Sequence, residues 1–282
     1  MLVFQTKYEL KSFLTTINSN AIKVGMVPTM GALHQGHASL VERSLSENNL
    51  TIVSIFVNPT QFNNQDDLLK YPKSLEKDSS LLNSISKDII IFAPSVAEMY
   101  TEHVVSKKYD FQGLDKVMEG AFREGHFDGV GTIVESLLLT VAPDKAYFGE
   151  KDFQQLQIIK KLVALQNIPV EIIGCPILRE PNGLAMSSRN ERLSKQLRKE
   201  AGFIYETLKK ISAKFPDHSP LSIIEWATEQ FQLHPNLRLE YLQIAEEDTL
   251  KPIEDKKKDK KYRAFIAVFA DGVRLIDNIG LN

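Results

Sequence analysis

Residues 22–45 read IKVGMVPTMGALHQGHASLVERSL, and this stretch decides the fold. Ile22 to Val27 is an apolar run of strand length. Pro28 to Gly31 supplies turn chemistry, and Gly36 to Leu45 carries Leu40, Val41 and Leu45 at helical spacing. A strand feeding a tight turn and then a helix is the opening of a βαβ unit, and the rhythm recurs downstream. Thr51 to Val57 reads as a buried strand, Leu75 to Ile85 as an amphipathic helix and Ile89 to Phe92 as a short strand. Val130 to Val141 follows as an apolar helix and Ala146 to Phe148 as a strand. A helix from Lys151 to about Gln166 and a last strand from Val170 to Cys175 complete the series. The expected fold class is therefore α/β, with a Rossmann-like parallel sheet in the N-terminal domain.

Pro176 and Pro181, with Asn182-Gly183, mark a boundary, so the domains are expected at 1–176 and 177–282. In the second part, helices near Lys195 to Lys214 and Leu221 to Gln232 precede β-like runs Leu237 to Ile244, Tyr262 to Ala270 and Val273 to Asn278. That order predicts a smaller α+β domain with helices on an antiparallel sheet. Glu254 to Arg263 (EDKKKDKKYR) reads as a solvated hairpin loop, because acids interrupt the basic run and no aromatic ladder accompanies it.

The chain has 282 residues, which suits about two domains of ordinary size. With 34 Lys and Arg against 36 Asp and Glu, the net charge of −2 supplies no broad field for a polyanion, so no nucleic-acid partner is expected. A single cysteine, Cys175, excludes an internal disulfide or a Cys-rich zinc site. The first dozen residues show no secretory pattern, and apolar runs of about seven residues fall short of the ~18 a membrane span requires. A cytoplasmic location without membrane association is the expectation.

The polar clusters follow the strand-like runs, where an open parallel sheet forms its ligand crevice. In Pro28 to His37, small residues and a helix N-terminus make an anion site, and His34 and His37 add two imidazoles. Taken alone, an HxxH pair could equally bind a metal or have no role; its place at a strand–turn–helix junction favours the anion reading. Phe56 to Phe62 (FVNPTQF) presents Gln61, whose amide both donates and accepts. In Phe148 to Gln155 (FGEKDFQQ), Lys151 and Gln155 stand four apart and are expected on one helical face. Lys151 offers a point charge for phosphate, and Asp152 an acceptor for ribose hydroxyls. Met186 to Asn190 (MSSRN) carries two hydroxyls and a guanidinium suited to a triphosphate. In Glu119 to Val130 (EGAFREGHFDGV), His126 reads better as a loop-ordering residue than as a third catalytic histidine.

HQGH resembles the HxGH signature of the nucleotidyltransferase superfamily, which includes class I aminoacyl-tRNA synthetases. The longer string PTMGALHQGH, with FVNPTQF, FGEKDFQQ, MSSRN and the closing RLIDN of Arg274 to Asn278, resembles the pantoate–β-alanine ligase (pantothenate synthetase) family in order and over nearly the whole chain. Three departures stand out: Glu124 where Pro is usual, Glu135 to Leu139 (ESLLL) in place of a KLFN-like stretch, and Asn182 where Asp is common.

The resemblance implies ATP-dependent condensation of pantoate with β-alanine through a pantoyl adenylate, with AMP and pyrophosphate released. It implies His37, His34 and Lys151 as catalytic residues, His37 being the choice for proton donor or imidazolium partner. It places ATP on Met30, Gly31, Ala32, Leu33, His34, Gln35, Gly36, His37, Gly149, Glu150, Lys151, Asp152, Leu178, Met186, Ser187, Ser188 and Arg189, with no role for the Glu150 side chain. Gln61 and Gln155 hold pantoate and β-alanine. Mg2+ is expected on the ATP phosphates with no protein ligand assigned, the smaller domain is expected to act as a lid, and a homodimer is implied. A simple nucleotidyltransferase, an aminoacyl-tRNA synthetase and a silent nucleotide-binding regulator are the competing classes. The first needs no Gln pair for a small hydroxy acid, the second has no basic RNA-binding appendage here, and the third need not keep His34, His37 and Lys151.

Overall fold

A computed structural model describes residues 1–17, 21–62, 68–69, 71, 74–100 and 103–282. The chain divides into two compact units. The first comprises Met1–Asp115, Glu119–Glu150 and Gln155–Pro176; the second comprises Lys116–Met118, Lys151–Gln154 and Ile177–Asn282.

The first unit is built on six strands: β1 (Leu2–Phe4), β2 (Val24–Thr29), β3 (Leu50–Ile55), β4 (Ile90–Phe92), β5 (Lys145–Gly149) and β6 (Glu171–Cys175). Every pairing is parallel, and the order is β1-β4-β3-β2-β5-β6. The chain steps outward from β2 to β3 and β4, then returns to the other side of β2 with β5. The topological switch therefore lies between β2 and β5, whose carboxyl ends carry Met30 and Glu150. This is the Rossmann-like arrangement in which a crevice opens between two diverging connections.

Helices α1 (Lys7–Ile17), α2 (Gln35–Glu47), α3 (Leu75–Ile85), α4 (Val96–Met99), α5 (Met118–Phe122), α6 (His126–Val141) and α7 (Phe153–Leu165) connect the strands. Leu40 and Val41 of α2 and Leu82 of α3 pack with Val27, Val53, Ile89 and Ile91 in one fully buried cluster. Removing such apolar area from water stabilises the layer by ~25 cal/mol per Å2. At the opposite end from the switch, Glu47 binds Arg43, Lys145 and the Tyr147 hydroxyl. The Arg43 hydrogen bond leads those that hold its carboxyl down at about 2.

Several boundaries differ from the sequence reading. Strand β2 starts at Val24 and runs through Pro28 and Thr29, which pair with Ser54 and Ile55 of β3. Proline is tolerated because the Thr29 carbonyl faces β3, accepting from the Phe56 N–H at 3.1 Å, so alternation turns the missing N–H of Pro28 to the other side. There the β5 ladder has ended at Met26. Helix α6 begins four residues before Val130, after Gly125 in the left-handed region at φ 72°. Strand β1 and helix α1 were not anticipated.

The second unit has helices α8 (Lys195–Glu200), α9 (Phe203–Lys214) and α10 (Pro220–Gln232), then an antiparallel sheet of β7 (Leu237–Glu246), β8 (Tyr262–Ala270) and β9 (Val273–Gly280) in that order. Ile204, Leu208 and Ile211 of α9 and Ile223, Ala227 and Phe231 of α10 bury their faces against Ile244, Ile266, Val268 and Leu275. The loop before β8 is mostly exposed, and β8 spans Tyr262–Ala270 as expected, so Tyr262 and Arg263 of the basic run belong to the strand. Within it, the Lys256 ammonium donates to the carbonyls of Phe215, Pro216 and His218, so part of the basic run caps a helix end.

The single helix expected over Lys195 to Lys214 is two. Asn182 explains the break: its Nδ2 donates to the Arg198 carbonyl at 2.8 Å and the Lys199 carbonyl at 3.2 Å, and its Oδ1 accepts from the Leu184 N–H. The amide thus ends α8 with donors that an aspartate lacks, which gives this departure from the family pattern a physical role. A Cβ on Gly202 would lie 2.5 Å from the Asn182 carbonyl oxygen. Glu135, another departure, is a buried carboxylate satisfied by Lys107 at 2.7 Å and the Tyr109 hydroxyl at 2.6 Å. Nothing in the structure explains Glu124 in place of proline. Gly202→Ala is expected to destabilise the protein by about 1–3 kcal/mol, despite the better helix propensity of alanine, because backbone must move. Chemical denaturation checks this, and an unchanged or raised midpoint overturns it.

Candidate active site

The first segment of the site is the turn after β2. The Thr29 hydroxyl donates to the Ser54 carbonyl at 2.7 Å and accepts from the Gly31 N–H at 3.2 Å. Gly31 and Ala32 follow at φ 79° and 51°, two successive residues in the left-handed region. Asp78 of α3 stabilises this strained pair. Its Oδ2 accepts from the Ala32 N–H at 3.0 Å and its Oδ1 from the Leu33 N–H at 2.7 Å. A Cβ on Gly31 would sit 2.8 Å from Asp78 Oδ2, so glycine permits the carboxylate's approach. Burial pushes the Asp78 carboxyl up while the two N–H bonds pull it down, the net direction being upward.

Sequence reasoning missed Asp78. Its signal was an acid four residues before Leu82, on the face of α3 that turns inward, where a charged side chain requires donors.

His34 is the N-cap of α2 and forms a reciprocal capping box with His37. His34 Nδ1 accepts from the Gly36 N–H at 3.1 Å, and His37 Nδ1 accepts from the His34 N–H at 3.3 Å. The ring centroids are 4.1 Å apart. With both Nδ1 atoms accepting, the neutral rings carry their protons on Nε2. The N–H groups of Ala32, Leu33, His34 and Gly36, which looked available to phosphate from the sequence, thus already have partners inside the protein. Two Nε2–H groups and the positive end of α2 are the polar features this segment can present.

The second segment follows β3. Pro59–Gln61 form one 3-10 turn. Asn58, buried, donates to the Gly129 carbonyl at 3.0 Å and accepts from the Tyr100 hydroxyl at 2.6 Å and the Thr60 hydroxyl at 3.1 Å. Burial pushes the Tyr100 phenol up. The Gln61 carbonyl meets His126 Nδ1 at 2.8 Å and Arg123 Nη2 at 3.3 Å. His126 therefore orders the loop through its backbone, and Gly129 lets α6 approach, since a Cβ there would lie 2.5 Å from the Thr60 carbonyl oxygen.

The third segment leaves β5 at Gly149, around whose would-be Cβ there is open space. Glu150–Asp152 form a 3-10 turn and α7 starts only at Phe153. The expectation that Lys151 and Gln155 share one helical face is corrected accordingly: Lys151 precedes the helix, where the four-residue periodicity does not apply. Lys151 belongs to the second unit. Its ammonium lies 3.6 Å from the Asp152 carboxylate, and its carbonyl accepts from Asn278 Nδ2 at 2.9 Å.

The fourth segment lies wholly in the second unit. Leu178 and Met186 flank a small hairpin, with the Met186 N–H donating to the Leu178 carbonyl at 3.0 Å and the Glu180 N–H to the Leu184 carbonyl at 2.8 Å. The Ser187 hydroxyl caps the 3-10 turn Ser188–Arg192 by accepting from the Arg189 N–H. Asn190, buried beneath it, donates to the Ala185 carbonyl and to Glu180. Leu178, Met186, Ser187, Ser188 and Arg189 stay at least partly accessible above this anchor.

The Pantoate-beta-alanine ligase family model matches residues 2–280. The pantothenate synthetase of Christiangramia forsetii is 54% identical over 282 residues, covering 100% of each chain, and that of Flavobacterium psychrophilum is 50% identical over 281 residues with the same coverage. Among solved structures, pantothenate synthetase from Thermus thermophilus is 39% identical with a TM-score of 0.88, covering 100% of this chain and 99% of that one. The Francisella tularensis pantoate-beta-alanine ligase, complexed with beta-gamma ATP and beta-alanine, is 36% identical with a TM-score of 0.83, covering 100% of this chain and 98% of that one. Fold, motif order and full-length similarity agree, and the chain belongs to the pantoate–β-alanine ligase family.

Proposed function

We propose that this chain is an ATP-dependent ligase that condenses pantoate with β-alanine to give pantothenate by way of a pantoyl adenylate, releasing AMP and pyrophosphate. The family match over residues 2–280 carries this reading. In the first step a pantoate carboxylate oxygen attacks the α-phosphorus of ATP, and the bond to pyrophosphate breaks. A carboxylate with a pKa of about 4 is already ionised near neutral pH, so it needs orientation more than a base. In the second step the β-alanine amine attacks the acyl carbon, loses a proton, and AMP departs.

Met30 to His37, Gly149, Glu150 and Asp152 bind the nucleotide in this proposal, and Gln61 and Gln155 hold pantoate and β-alanine. His34 and His37 offer Nε2–H donors to the phosphates, with His37 as proton donor or imidazolium partner. Lys151, Ser187, Ser188 and Arg189, with Leu178 and Met186 beside them, stabilise charge moving toward pyrophosphate. Among the described residues no three His, Cys, Asp or Glu side chains gather as a metal cage. Mg2+ in this proposal rides on the ATP phosphate oxygens, where it would supply charge neutralisation at the triphosphate.

No helix among the described residues is long and apolar enough to cross a membrane. A cytoplasmic homodimer is the proposed setting, with residues 1–176 as the nucleotide- and pantoate-binding domain and 177–282 as a lid.

The decisive measurement is ATP–pyrophosphate exchange. It is expected to require pantoate, and AMP release to require β-alanine as well; exchange without pantoate overturns the assignment. His37→Ala is expected to lower pantoate-dependent exchange about 100-fold or more. Gln155→Ala is expected to raise the pantoate KM about tenfold, the worth of one hydrogen bond to a charged group, with ATP affinity retained. If Gln155→Ala instead weakens ATP binding alone, the division of substrates is wrong. For the lid, protection of the 176–183 segment from proteolysis is expected to rise with ATP, and an unchanged cleavage rate counts against closure.

A further inference from the structure

The closing motif RLIDN has no role in the reaction just described, yet two adjacent residues of it touch two phosphate-binding segments. Asp277 and Asn278 lie on β9, an edge strand, in register with Ile266 and Phe265 of β8. The pleat sends successive side chains to opposite faces. Asp277 therefore shares the helix-covered face with Ile266, and Asn278 the other face with Phe265.

On the first face, Asp277 takes the Arg179 guanidinium in a bidentate pair at 2.6 and 3.0 Å, both side chains being at most 15% exposed. Arg179 also donates to the Gly183 carbonyl at 3.0 Å and lies 3.6 Å over the Tyr205 ring. It thereby closes the base of the hairpin that leads into Met186 to Arg189. On the other face, Asn278 Nδ2 donates to the Lys151 carbonyl, which lies in the 3-10 turn just before α7, while Asn278 Oδ1 accepts from Arg263 at 2.6 Å. Arg263 is itself fixed by Glu247 at 2.8 Å and stacks 4.0 Å from the Phe153 ring, two residues beyond Lys151. The Asn278 N–H donates to Asp277 Oδ1 at 2.8 Å, coupling the two grips.

We propose that Asp277 and Asn278 act as positioning residues that hold Lys151 and the Ser187 to Arg189 loop in fixed register as a single preformed phosphate clamp. Lysine is a point charge on a flexible stem, so its effect on a developing pyrophosphate depends on where its backbone is held. The proposal rests on the ligase reading above. A clamp for phosphate serves adenylate formation and is not used when the amine attacks an adenylate already made.

Asn278→Asp is the test, because it keeps the shape and the Arg263 contact but loses the donor to the Lys151 carbonyl. Pantoate-dependent ATP–pyrophosphate exchange is expected to fall ~10–100-fold, the scale of a displaced reacting group. Conversion of supplied pantoyl adenylate and β-alanine to pantothenate is expected to stay within about twofold of the parent. Asn278→Leu, which also lacks the donor, is expected to show the same split. A loss of folded protein lowers both half-reactions by one factor, so equal losses, or no loss of exchange, in either variant overturn the proposal. Absence of pantoate-dependent exchange in the parent overturns the ligase reading itself.

Discussion

Asp78 is the constraint on which the mouth of the first unit depends. Two successive residues with positive φ cost energy wherever the second bears a side chain, and Ala32 does. The carboxylate offsets that cost by accepting from Ala32 and Leu33 together, and it is itself tolerated in the interior because both bonds are made. The turn so fixed sets the entry angle of α2, and hence the place of His34 and His37. A residue on α3, about forty positions along the chain, thus decides where the imidazoles stand.

The start of α2 is closed by its own side chains and by Asp78. Four N–H groups along Ala32 to Gly36 are engaged within the protein, two by a carboxylate and two by imidazole nitrogens. The glycine of the motif serves the turn and the approach of Asp78. The polar work passes to side chains whose orientation the backbone has already fixed.

The inner strands β2 to β5 were legible because they are mostly buried and read as apolar runs, and the helices over 75–85 and 220–232 because their inward faces recur at regular spacing. Motif placement followed from strand order. Less legible were features set by tertiary partners. The helix over 195–214 breaks because Asn182, outside it, takes the carbonyls of Arg198 and Lys199. Lys151 leaves the helix because the 3-10 turn intervenes, and the donors that Asp78 meets belong to Ala32 and Leu33. In each case the deciding group lies far away in sequence, or at a helix end where local periodicity is silent.

The histidine pair carries a further consequence. Each Nδ1 accepts a backbone N–H, so a second proton on either ring would turn an acceptor into a donor facing a donor. Tautomer and helix start are thereby coupled: each ring keeps its share of the cap only while Nδ1 carries no proton. Both Nδ1 atoms are committed to the backbone, and Nε2 is the ring nitrogen left to donate. The cap thus selects one of the two ring tautomers, the one that carries its hydrogen on Nε2.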